Sequence, residues 1–155
     1  MRIIDYLRPP AIIANLSGST AHDVLAELCH PLASTGFDPN YLFEALLDRE
    51  HLSSTGVGDG VAIPHCKVHG LSELTLSFGR SKTGIDFGAI YGLPTFLFFT
   101  LFSPEQSGGK HLSALARISQ ILGCQAFRKS VLKAVDSTEI YLLIESEDTK
   151  HGGRP

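Results

Sequence analysis

"TFLFFTLF", Thr95–Phe102, decides the fold class. A strand with one face in water alternates polar and apolar residues, and this stretch has no polar face. It reads as a central strand covered on both sides. A membrane-spanning helix needs ~20 apolar residues, far more than this run supplies. Upstream, Leu74, Leu76 and Phe78 alternate with Thr75, Ser77 and Gly79, which predicts a strand with one buried face. Val61–Ile63 is a short β-branched segment, and an opening strand is expected near Ala11–Leu16. Between the opening strand and Val61 the spacing turns helical. Thr20 and Asp23 form a capping-box-like pair, followed by Ala21, Leu25, Leu28 and Leu32 at helical intervals, with Pro31 ending or kinking the helix near His30. Asp38-Pro39 marks a second start, and the stripe Phe43, Leu46, Leu47 predicts a helix to about Leu52 with Arg49 in its last turn. Downstream, helices are expected at Lys110–Leu122, ended by Gly123, at Ala126–Val135, and at Ser137–Ile144 behind Asp136. Strands and helices on both sides of a buried strand imply a layered α/β domain. The pairing order of the strands is not legible.

The chain has 155 residues, 43% hydrophobic and 19% charged, which fits one globular domain with a sizeable core. We expect that domain over residues 1–147, and a flexible polar tail, "DTKHGGRP", over 148–155. A formal net charge of −3 supplies no basic field for nucleic acid or an anionic membrane. Cys29, Cys66 and Cys124 are odd in number and lack framework spacing, and "MRIIDYLRPPAIIANL" lacks a secretion signal, so the expected setting is the reducing cytoplasm, with no membrane insertion.

"GVGDGVAIPHCKVHG", Gly56–Gly70, concentrates the candidate chemistry. Gly56-x-Gly58-x-Gly60 has neither the spacing of a dinucleotide fingerprint nor the Lys-Ser/Thr of a phosphate loop, and Gly108-Gly109-Lys110 leads into His111. A metal site at His65, Cys66 and His69 is short of ligands, and adjacent residues of a strand point to opposite faces, so no metal and no cofactor is expected. The same geometry argues against a Cys66–His65 dyad. His65 itself stays open to two readings: a structural histidine, or a nucleophile able to carry a phosphoryl group on its imidazole. Pro64 before it fixes the backbone and aims the ring, and the upstream glycines allow amides close approach.

"REHLSSTGVGDGVAIPHCK" closely resembles the phosphorylation-site segment of the enzyme IIA proteins of the phosphoenolpyruvate-dependent phosphotransferase system, of the fructose–mannitol type and above all its nitrogen-regulatory branch. Ser54, Thr55, Gly56, Gly58, Gly60, Ala62, Pro64, His65 and Lys67 stand in the family's pattern, and the likeness runs from about Ile13 to Ser146. The resemblance implies a mixed β-sheet flanked by helices on both faces. It implies a phosphoryl carrier in which His65 accepts the group from a histidine-containing phosphocarrier protein. Arg49 and His111 match the family's other active-site residues, and Ser54, Thr55 and Gly56 fall in the loop lining the pocket. A regulatory role is expected, the alternatives being a free-standing sugar-transport enzyme IIA or a non-catalytic regulatory binding domain. Regulatory targets and oligomeric state are not specified. Asp59 replaces a usual asparagine and Cys66 a usual glycine, while Gly88, Tyr91, Leu93 and Phe96 stand where acidic or polar residues are common.

Overall fold

The structure, a computed structural model, describes residues 1–88 and 92–152; Tyr91 lies outside them. The chain opens with two 3-10 turns, Ile3–Tyr6 and Pro9–Ala11, and a short strand β1 (Ile12–Ile13). Helix α1 (Ala21–Cys29) is capped by the Thr20 side chain, which accepts from the Asp23 amide at 3.1 Å. It passes into a 3-10 segment, His30–Thr35, because Pro31 has no amide to continue the α-helical ladder. Helix α2 (Pro39–Leu52) starts at the expected Asp38-Pro39 step, where the Asp38 carboxylate accepts from Asn40 N. Its innermost residues are Leu42 and Leu46, with Phe43 and Leu47 half-buried beside them.

Five strands follow: β2 (Gly56–Gly58), β3 (Val61–Ala62), β4 (His65–Val68), β5 (Thr75–Ile85) and β6 (Thr95–Pro104). The sheet order is β1-β5-β6-β3-β2, and β4 also pairs with β6. β5 and β6 are antiparallel, whereas β1 runs parallel to β5, and β3 and β4 parallel to β6, so the sheet is mixed. "TFLFFTLF" is the central strand: Leu97, Phe98, Phe99, Leu101 and Phe102 are all essentially inaccessible. Helices α3 (Gly109–Gly123), α4 (Gln125–Lys133) and α5 (Ser137–His151) complete the chain.

Register separates two faces. Across the strands His65, Leu101 and Leu76 share one face, as do Lys67 and Ser103, while Cys66, Phe102 and Thr75 point the other way. Arg80, on the His65 face, reaches α4: its guanidinium donates to the carbonyls of Val131 and Ala134 at 2.8 and 2.6 Å. Gly79, on the opposite face, lies so close to Leu28 of α1 that an added Cβ would stand 2.9 Å from it. Helices α1 and α2 therefore cover one face and the C-terminal helices the other.

Several expectations shift. β1 is shorter than Ala11–Leu16, since Pro9 and Pro10 hold the chain in a 3-10 turn up to Ala11. β5 is buried on both faces over Leu76–Ser81, not on one, because helices cover its polar side too. Residues 148–151 are not a flexible tail: α5 runs through His151. Asp148 is wholly buried, accepting from the Ile4 amide at 3.0 Å and lying 3.6 Å from Arg117. That carboxylate ties the last helix to the first turn of the chain, and residues 153–155 lie outside the described ones.

Candidate phosphoryl site

His65 is presented by a broken strand. Ala62 pairs with Phe98 and His65 with Leu101, the same offset on both strands, so β3 and β4 are one line interrupted at Ile63-Pro64. The interruption keeps its hydrogen bonds: the Leu101 amide donates to Pro64 O at 2.9 Å, and the Ile63 amide turns outward to Thr55 O at 3.1 Å. Pro64 thus sits where the strand needs an acceptor and no donor. The glycine-rich stretch before it is a hairpin rather than an open loop, with β2 against β3 and Gly58, Asp59 and Gly60 at φ 87, 55 and 77°. Asp59 is the non-glycine in the left-handed region, which aspartate tolerates better than most residues.

The ring of His65 is half-buried, and its Nδ1 lies 2.7 Å from the carbonyl of Ile63. A carbonyl only accepts, so Nδ1 carries the proton, and Nε2 of the neutral ring keeps its lone pair. His111, the third residue of α3, comes to 5.8 Å from His65 between ring centres, at an interplanar angle of 54°. Its Nδ1 lies 2.6 Å from Ser103 Oγ. Burial lowers the pKa of His111, and neighbouring His65 and Lys67 lower it further. Lys67 is exposed on the same face, two residues along β4, and adds a cation to this edge.

The other expected residues divide. Arg49 does sit in the last turn of α2, but its guanidinium donates to the carbonyl and hydroxyl of Ser53 at 3.2 and 3.3 Å, closing the helix end. Among the described residues no hydrogen bond joins it to His65. The Ser54 hydroxyl donates to Phe87 O at 2.7 Å and accepts from the Gly56 amide at 3.1 Å. Thr55 is buried, and both its amide and its hydroxyl donate to Glu50, at 2.8 and 2.6 Å. These groups brace the hairpin against α2 and the β5–β6 connection. Glu50 and Ser103 carry no motif of their own. The signals that reach them are spacing alone: the position after Arg49, and the polar residue ending an apolar strand.

Cys66 follows His65 yet faces the α1–α2 side, and burial pushes its thiol up to about 12, so it shares no centre with His65. A cleft of about 350 Å3 lies elsewhere, lined by Tyr6, Pro31, Phe37 and Leu74 among others, and none of the candidate residues lines it. No described helix is long and apolar enough to cross a membrane.

The chain has relatives among known proteins along nearly its whole length. Residues 5–147 match the family described as phosphoenolpyruvate-dependent sugar phosphotransferase system, EIIA 2. A nitrogen regulatory protein of Bradyrhizobium diazoefficiens is 39% identical over 145 residues, covering 93% of this chain and 95% of that protein. The fructose-specific EIIABC component of Bacillus subtilis is 35% identical over 150 residues, 96% of this chain, which spans only 24% of that longer protein. The crystal structure of nitrogen regulatory protein IIA-Ntr from Neisseria meningitidis superposes with a TM-score of 0.86 at 29% identity, covering 92% of this chain and 98% of that one.

Proposed function

This chain belongs to the EIIA 2 family of the phosphoenolpyruvate-dependent sugar phosphotransferase system, and on that premise we propose that it carries a phosphoryl group on Nε2 of His65, received from a histidine-containing phosphocarrier protein and used mainly in regulation. The observation that carries the reading is the Nδ1 contact to Ile63 O at 2.7 Å, which leaves Nε2 as the nucleophile on an open sheet edge. In the transfer, the Nε2 lone pair forms the new N–P bond while the donor's N–P bond breaks, and the electron pair of that bond stays on the donor nitrogen. His111 orients and stabilises the phosphoryl oxygens. Arg49 does the same when its guanidinium swings from Ser53, a fork of donors matched to phosphate. Ser54, Thr55 and Gly56 frame the pocket by holding the hairpin in place. Leu52, Val57 and Leu112 stand exposed on the three segments that bear Arg49, the hairpin and His111, an apolar rim for the donor protein.

The regulatory role, rather than sugar transport, is favoured by likeness alone: over nearly the whole domain a nitrogen regulatory protein is 39% identical, against 35% for a fructose-specific component. The test is reconstitution with phosphoenolpyruvate and the general phosphotransfer proteins. The chain should take up one acid-labile, alkali-stable phosphoryl group, and His65→Ala should take up none. Full labelling of that variant overturns His65 as the carrier, and no labelling of the unaltered chain leaves a binding domain.

A further inference from the structure

Ser103 stands across from Lys67 in the β6–β4 register, on the face that bears His65, and is wholly buried. Its hydroxyl lies 2.6 Å from Nδ1 of His111 and has no other hydrogen-bond partner among the described residues. Two proton arrangements satisfy that distance. If Nδ1–H donates to the hydroxyl oxygen, the Ser103 proton is buried with no acceptor. If the Ser103 O–H donates to the Nδ1 lone pair, no buried donor is stranded. Leaving a buried donor unmade costs more than the net worth of an ordinary hydrogen bond, so the second arrangement wins. It puts the ring proton on Nε2.

We propose that Ser103 is a positioning residue that holds His111 as its Nε2–H tautomer, so that a neutral imidazole presents a donor to an anionic group carried on His65. The role matters because burial, with His65 and Lys67 nearby, disfavours the doubly protonated ring. A neutral ring donates from one nitrogen only. In the opposite tautomer Nε2 turns a lone pair toward the phosphoryl oxygens, which repel it. The inference rests on the phosphoryl-carrier reading above, but its physical core, the tautomer, does not depend on any transfer occurring.

Long-range proton–nitrogen NMR correlations on the labelled full chain, at a pH where His111 is neutral, read the tautomer directly. The unaltered chain should show Nε2–H, Ser103→Ala a mixture, and Ser103→Thr, which keeps the hydroxyl on a strand that suits a β-branched residue, a return to Nε2–H. Onward transfer from phosphorylated chain should fall about tenfold in Ser103→Ala, the scale of one lost hydrogen bond, and recover in Ser103→Thr. An Nδ1–H ring in the unaltered chain overturns the proposal without any variant having to fold. So does a Ser103→Ala chain whose tautomer and rate are both unmoved. If the unaltered chain accepts no phosphoryl group, the carrier reading fails separately, and the NMR measurement still decides Ser103.

Discussion

His65 and Cys66 are covalent neighbours in opposite environments. One ring is half-exposed on the edge strand β4, near His111 and Lys67; the other side chain is 6% exposed, sealed under α1 and α2 in the same core as buried Cys29. Free thiolate is the better intrinsic nucleophile, yet burial holds the thiols of both Cys29 and Cys66 at about 12, so they stay protonated and inert. Accessibility here is set by which face of a strand a residue occupies. The period of two assigns that face before any other feature of the side chain counts.

The largest effect that sharpens this contrast is on the open face. His111→Ala should leave His65 able to accept a phosphoryl group but slow onward transfer roughly a hundredfold, the scale of one positioned helper. Single-turnover transfer from phosphorylated chain measures it, and a variant that transfers normally breaks the contrast. On the sealed face the expectation reverses. Cys66→Ala should lower stability by about 1 kcal/mol, read as a denaturant midpoint shift, with transfer unchanged. Thiol reagents on the native chain should label half-buried Cys124 while sparing Cys29 and Cys66. Reaction at Cys66 in the folded state would place it on the wrong face.

The smallest effect is the pH response of His111. Its NMR titration midpoint should lie below the ordinary 6.5, because burial opposes the charge first and His65 and Lys67 add to it. The folded state then binds its proton less readily than the unfolded chain. This group's share of stability is complete above the ordinary histidine value and is lost as pH falls from there through the depressed folded value. Equilibrium unfolding between pH 7.5 and 5.5, compared with His111→Ala, isolates that slope. A midpoint at or above 6.5 refutes the burial argument.

The chemistry-bearing segment was more legible than the groups that support it. "VAIPH" announces itself because proline and glycine act through the backbone, locally. The α2 start, the break at Pro31 and the central strand were legible for the same reason, as each follows from a cap, a missing amide or an unbroken apolar run. The hairpin at Gly56–Val61 was hidden because its strands are too short to show a period. The bounds of β4 were hidden for the same reason, although alternation along an extended continuation already parts His65 from Cys66. Arg80 illustrates the opposite difficulty. Its position on the strand suggests a solvated cation, but it is fully buried, with its guanidinium on the carbonyls of Ala14, Val131 and Ala134. Those acceptors lie far away in the chain, and no local pattern names them.

What the sequence determined by itself was the set of local choices: where the helices begin, which strand is central, and that His65 follows a rigid step, with Cys66 on the opposite face of any extended continuation. Those follow from short-range sterics and from the periods of strand and helix. Tertiary structure alone decided that α3 returns to bring His111 within 5.8 Å of His65, that Ser103 meets Nδ1 of that ring, and that Asp148 closes on the Ile4 amide. Each of these contacts joins segments that meet only through β6 and the packing of helices on the sheet. Their distances come from the pairing order of the strands, a non-local property that hydrophobic pattern leaves undetermined.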